Sequence, residues 1–131
     1  MHEEYIIWDQ SAPGISFNVV TGRITIFKQT LVALGYPEYF RFLFSPEDIF
    51  FGVEPCGIDD EGANRLPEEI TREHYDIKSI GLVRFVYKTC GWQKKLTYRI
   101  AGEKYALDSG LVLFDLSRAY EIYEGRMREA E

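Results

Sequence analysis

The chain has 131 residues, 46% hydrophobic and 15% aromatic, enough for a single domain (residues 1–131) with its own core and too apolar for a disordered tail. Its formal net charge of −6 disfavours nucleic-acid binding as a property of the whole surface. Two cysteines are too few for a disulfide framework or a zinc site, and neither a signal peptide nor a membrane span is apparent, so we expect a cytoplasmic protein with reduced thiols.

The first half begins with two predicted strands. Ile15, Phe17 and Val19 alternate with more polar positions, which is the period of a half-buried strand. After a short turn, Ile24 and Ile26 continue the alternation. The two segments therefore predict a β-hairpin.

A short helix is predicted from Lys28 to Leu34. Phe27, Leu31 and Leu34 fall on one helical face, and Gly35 follows where a left-handed cap would end the helix.

Two aromatic strands follow, joined by a tight turn, and they predict a second hairpin from Tyr39 to Pro55. Their aromatic residues are Phe40, Phe42, Phe44, Phe50 and Phe51. Phe50 lies on the face opposite Phe51, so the hairpin is apolar on both sides and needs two coverings. The predicted interface is formed by these five residues, either in a homodimer or between the two halves of one chain.

The second half repeats this plan after a turn-rich linker, residues 57–76. Val83, Tyr87 and Cys90 have helical spacing and precede Gly91 as the first helix precedes Gly35. We expect pseudo-repeat halves over 15–56 and 77–116, and a C-terminal helix over 116–131 with Ser117 as its N-cap.

Charge is distributed unevenly. Residues 1–60 contain three basic and nine acidic residues, whereas residues 77–105 contain seven basic residues and Glu103 as their one acid. Such a segment can bind phosphate within an acidic protein. The alternative is a solvated basic face that balances the acidic half.

Catalytic signatures are missing from the sequence. It has neither a phosphate-binding glycine loop nor a nucleophile elbow. His74 stands in the polar linker, where a surface role is the simpler interpretation, and Cys56 and Cys90 are interpreted as inert thiols. We expect a non-catalytic protein with no cofactor and no metal.

The stretch GRITIFKQTLVALGY resembles the opening of the AbrB/MazE-type swapped-hairpin family. Matches fall at Gly22–Arg23, Ile24, Ile26, Lys28 and Leu34–Gly35. The resemblance implies a β-rich α+β fold in which two strand–helix–hairpin modules form a small swapped-hairpin-like barrel, as in the MraZ proteins. It also implies binding of duplex DNA by dimers or pseudo-dimers.

The sequence departs from the family at three positions. Phe27 replaces the usual proline, and Leu31 and Val32 stand where DNA-binding members often carry arginine. Together with the basic second half, the resemblance gives these DNA-binding candidates: Arg23, Lys28, Lys94, Lys95 and Arg99. The first hypothesis is a transcription regulator, and the second is a protein-binding module that neutralises a partner, as antitoxins of this fold do.

Overall fold

The computed structural model describes residues 11–68, 74–106, 110–123 and 126–129, with the backbone alone at 123 and 126–128. It is a strand-rich α+β protein with a curled antiparallel sheet and two helices, which confirms the β-rich α+β class that was predicted. The helices are α1 (Lys28–Leu34) and α2 (Ile80–Cys90), and Leu116–Arg118 forms one 3-10 turn. The strands within these ranges are β1 (Gly14–Asn18), β2 (Arg23–Phe27), β3 (Tyr39–Ser45), β4 (Phe50–Cys56), β5 (Asn64–Arg65), β6 (His74–Lys78), β7 (Thr97–Lys104), β8 (Val112–Asp115), β9 (Tyr120–Tyr123) and β10 (Arg126–Glu129).

The sheet joins the two halves of the chain through non-local pairings. Its order is β5-β3-β4-β8-β7-β1-β2-β6, with β9 added to β7 and β10 added to β9. The long strand β7 pairs with β1 and β9 near its start and with β8 near its end. Neither half has a sheet of its own as a result.

Local predictions in the first half are confirmed. The β1–β2 hairpin forms, α1 has the predicted bounds, and β3 and β4 pair from Tyr39 opposite Cys56 to Ser45 opposite Phe50. Gly35 ends α1 with φ 79°, and its N–H donates to the Val32 carbonyl oxygen over 3.0 Å. The left-handed conformation explains the glycine at this position.

The second half has the same order of elements. Strand β6, helix α2 and strands β7 and β8 follow one another as β2, α1, β3 and β4 do. Gly91 ends α2 with φ 67°, and the Trp92 N–H donates to the Tyr87 carbonyl oxygen over 3.0 Å. The predicted pair of helix-capping glycines is therefore confirmed.

One buried hydroxyl from each helix binds the backbone of β1. The Thr30 hydroxyl donates to the Gly14 carbonyl oxygen over 2.7 Å and accepts from the Gly14 N–H over 2.8 Å. The Tyr87 hydroxyl lies 2.9 Å from the Phe17 carbonyl oxygen and 2.6 Å from that of Leu96. The two helices thus hold opposite ends of the same strand.

The aromatic residues of the β3–β4 hairpin divide between two faces. Phe40 and Phe51 are fully buried, and the Phe42 and Phe44 rings lie 5.4 and 6.2 Å from the Phe51 ring. This inner face packs into the core of the same chain. Phe50 lies on the outer face and is 37% exposed.

The predicted C-terminal helix over 116–131 is wrong where the structure describes it. The Asp115 carboxylate accepts from the Ser117 N–H over 3.1 Å and from its hydroxyl over 2.6 Å, so Asp115 caps a single 3-10 turn. The chain then pairs as β9 with Thr97–Arg99 of β7 and turns back as β10. Pairing with a strand edge outweighs the helical propensity of this segment.

Candidate functional site

A group of five basic side chains lies on α2 and its two flanks. Its members Lys78, Arg84, Lys88, Lys94 and Lys95, called the α2 basic surface below, are all exposed. Among the residues that the structure describes, none of the five forms an ion pair. Arg84 and Lys88 are one helical turn apart, about 6 Å between Cβ atoms, so their positive charges reinforce each other.

Two cations of the first half have carboxylate partners instead. Arg41 Nε lies 2.7 Å from Glu54 Oε1, and this contact raises the pKa of Arg41. Arg23 Nε lies 3.9 Å from Asp76 Oδ2, and the Thr25 hydroxyl donates to the same carboxylate over 2.6 Å. Asp76 therefore reduces the positive potential around Arg23.

The five predicted DNA-binding residues do not form one cluster. Lys94 and Lys95 stand exposed in the turn before β7, as predicted. Arg23 and Arg99 share the outer face of the sheet on β2 and β7, with β1 between them, about 10 Å apart across the strands. Lys28 begins α1 at the far end of β2, about 16 Å along the strand from Arg23.

Arg99 has a distinct environment. Its guanidinium carbon lies 3.9 Å from the centre of the Phe27 ring. Burial lowers its pKa from the ordinary value. Phe27 thus packs against the Arg99 guanidinium, and this cation–π contact favours a structural use of the charge.

Sequence reasoning left Arg84 and Lys88 out of the candidate site. The spacing of Arg84 and Lys88 does predict their position, because two residues one helical turn apart and off the apolar face of a helix both lie on its solvent face. Ile80 and Phe85 on the same helix are 47% and 49% exposed. The outer surface of α2 therefore combines basic and apolar side chains.

The remaining reactive groups are held in unreactive settings. Burial raises the pKa of the Cys90 thiol to about 11 and also raises that of Cys56, so both are neutral near pH 7. His74 Nε2 lies 3.7 Å from Asp76 Oδ2, and its ring lies 6.3 Å from that of Phe27. His74 therefore belongs to strand β6 on the outer sheet surface, so the predicted linker over 57–76 is wrong at its C-terminal end, where residues 74–76 pair with β2.

Comparison with known proteins identifies no relative of this chain. No family model, no curated protein and no solved structure matches the chain. A search of the helices within the described ranges found none long and apolar enough to cross a membrane.

Proposed function

We propose that the protein is a non-catalytic cytoplasmic regulatory protein, similar to AbrB-type transcription regulators, that binds duplex DNA through the α2 basic surface. The observation that carries this proposal is the exposure of five basic side chains without a carboxylate partner in the described part of the chain. Like charges one helical turn apart, as at Arg84 and Lys88, destabilise a helix by a few tenths of a kcal/mol. A phosphate backbone bound beside both cations would turn this destabilising contribution into a stabilising one.

The architecture supports a pseudo-dimer of two swapped-hairpin-like modules. Strand β2 of the first half pairs with its counterpart β6, from Arg23 opposite Lys78 to Phe27 opposite His74. Strand β4 pairs with its counterpart β8, from Phe50 opposite Asp115 to Val53 opposite Val112. Pairing between equivalent strands is what an approximate twofold axis through one chain would produce. Strand β1 and the β9–β10 hairpin are additions to that plan.

Salt dependence tests the phosphate contacts directly. If all five basic side chains contact phosphates, the logarithm of the association constant for a mixed-sequence duplex falls with the logarithm of salt concentration with a slope of about −4 to −5. Fluorescence anisotropy with a labelled duplex at several salt concentrations measures this slope. Weak binding that is indifferent to salt would contradict the proposal.

Charge reversal locates the binding surface. We expect Lys94→Glu combined with Lys95→Glu to abolish duplex binding, because both side chains lie in an exposed turn of the α2 basic surface. Their removal should change the free energy of unfolding by only about half a kcal/mol. Lys28→Glu is the control for the single change Lys94→Glu, because each reverses one exposed lysine and changes the net charge by two units; Lys28 begins the other helix, and its variant should bind almost as the natural protein does. Equal losses in both variants would point to a net-charge effect.

An acidic protein partner is the second candidate, and the exposed apolar residues of α2 favour it. A protein partner could cover the exposed side chains of Ile80 and Phe85 with apolar groups of its own, whereas a phosphate backbone has no such groups. Phe85→Ala separates the two cases. It should weaken a protein complex strongly and leave duplex binding within about twofold, since it removes no charge.

A further inference from the structure

The outer face of β4 and β8 carries an apolar surface on the side of the sheet away from the core. Strand register places Leu43, Gly52 and Leu113 in one row, with Phe50 beside them. A Cβ atom built on Gly52 would lie 3.2 Å from the Leu111 side chain and 3.5 Å from those of Leu43 and Leu113. The leucines therefore converge over the glycine into one continuous patch, and Leu43 and Phe50 are 39% and 37% exposed.

A groove of about 450 Å³ borders this patch. Phe50, Leu113, Tyr105 and Tyr120 supply its apolar and aromatic walls. The volume falls within the range of binding pockets in proteins and would accommodate an aromatic side chain. The same surface thus presents an exposed ring, Phe50, and a recess large enough for such a ring.

Charges of both signs line the groove. Glu103 and Asp115 are acidic, and Lys104 and Arg118 are basic. Within the described ranges, Glu103, Lys104 and Arg118 are exposed and form no ion pair. A rim with one sign of charge would repel a second copy of itself, whereas a mixed rim can pair with itself across a twofold axis.

We infer that this face joins two copies of the chain in a symmetric homodimer. Each Phe50 ring occupies the groove of the other copy, and each Glu103 faces the partner's Arg118. A twofold interface requires one surface to be complementary to itself in shape and in charge, and the exposed Phe50 ring beside a groove and the rim of mixed charge fit that requirement. The inference is independent of the proposed function. It concerns the outer face of β4 and β8, which points away from the core, and it involves none of the residues of the α2 basic surface.

Sedimentation velocity over a range of protein concentrations tests the dimer. We expect Phe50→Lys to raise the dimer dissociation constant at least thirtyfold, as for an aromatic anchor at the centre of an interface. Lysine is chosen because the residue paired with Phe50 across the strands is Asp115, which can accept the new charge. Val32→Lys is the matched control, since Val32 is an apolar residue on α1 that is 47% exposed, and this variant should dimerise normally. If Phe50→Lys is poorly folded by circular dichroism, Leu43→Lys replaces it.

Charge exchange tests the orientation of the two copies. Glu103→Lys and Arg118→Glu should each weaken self-association at least tenfold, because each places like charges opposite each other. An equimolar mixture of the two variants should form a heterodimer of nearly natural affinity, since both contacts then join opposite charges. A natural protein that is monomeric at all concentrations, a dimer that survives Phe50→Lys or Leu43→Lys, or a mixture that fails to associate would each overturn the inference.

Discussion

The two halves of the chain share an order of elements but treat their basic residues differently. In the first half, two of the three basic residues have carboxylate partners: Arg41 is paired with Glu54, and Arg23 with Asp76, which the sheet brings alongside from β6. In the second half, α2 and its flanks present five basic side chains with no such partner among the described residues. The comparison shows that neighbouring carboxylates decide where positive potential survives, and that a net charge of −6 is a poor guide to any one surface.

The halves also differ in how their helices bind β1, and this difference gives the largest expected effect on stability. Thr30→Val leaves both the N–H and the carbonyl of Gly14 without their buried partner, which should cost about 3 kcal/mol. Tyr87→Phe removes one donor from two carbonyl oxygens and should cost about 1–2 kcal/mol. Urea denaturation measures both values.

Tyr36→Phe is the control for this pair, because Tyr36 is 49% exposed and should lose almost nothing. Equal losses at Thr30 and Tyr87 would show that the two helices depend on β1 to the same extent. A loss below about 1 kcal/mol at Thr30 would mean that Gly14 finds other partners.

The capping glycines should respond alike in the two halves. Gly35→Val and Gly91→Val should each destabilise by about 1 kcal/mol or more, because both glycines have positive φ and a valine there is strained. No other part of the described structure lies within 4 Å of a Cβ atom built at either position, so a clash of that atom does not add to the cost of strain. Gly81→Ala, at the second residue of α2 with equally open surroundings, should instead stabilise slightly, by at most about 0.5 kcal/mol, because the roughly 0.5–1 kcal/mol of a mid-helix position is reduced in the first turn. Unequal losses at the two caps, measured by thermal unfolding, would break the equivalence of the halves.

The thiols give the smallest effect. Cys56 should react with a thiol reagent before Cys90, because burial raises the pKa of Cys90 to about 11. Since the unfolded chain loses that proton at lower pH than the folded chain, the contribution of Cys90 to stability should fall as pH rises toward 11. Mass spectrometry of the partly labelled protein, compared with a Cys56→Ser variant, assigns the order. Faster labelling of Cys90 would indicate that α2 opens readily.

Local features of this fold could be predicted from the sequence, and non-local ones could not. The spacing of Phe27, Leu31 and Leu34 with Gly35 gave the bounds of α1, because short-range sterics and periodicity determine them. The predicted C-terminal helix is wrong because residues 120–122 pair with an edge of β7, and the local sequence does not reveal that this edge is open. Only the assembled sheet shows that this partner is available.

The same distinction between local and non-local features applies to the candidate site. Exposure of Lys94 and Lys95 follows from their place in a turn, which the sequence predicts. Asp76 reduces the positive potential around Arg23, and Arg99 packs on the Phe27 ring. Both contacts join strands that are far apart in sequence. A list of basic residues cannot reveal such contacts, because each depends on the order of strands in the sheet.

The position of β1 between β2 and β7 has a consequence for how the protein is made. Strand β1, the first strand within the described residues, cannot complete its pairing until Ala101, its most distant partner in sequence, has left the ribosome. Loop-closure entropy must be overcome before such contacts form, so we expect folding on the slow millisecond-to-second scale of sheet proteins with non-local pairing. During synthesis the aromatic β3–β4 hairpin is exposed before β8 exists to cover its edge, and the nascent chain is most prone to aggregation in that interval.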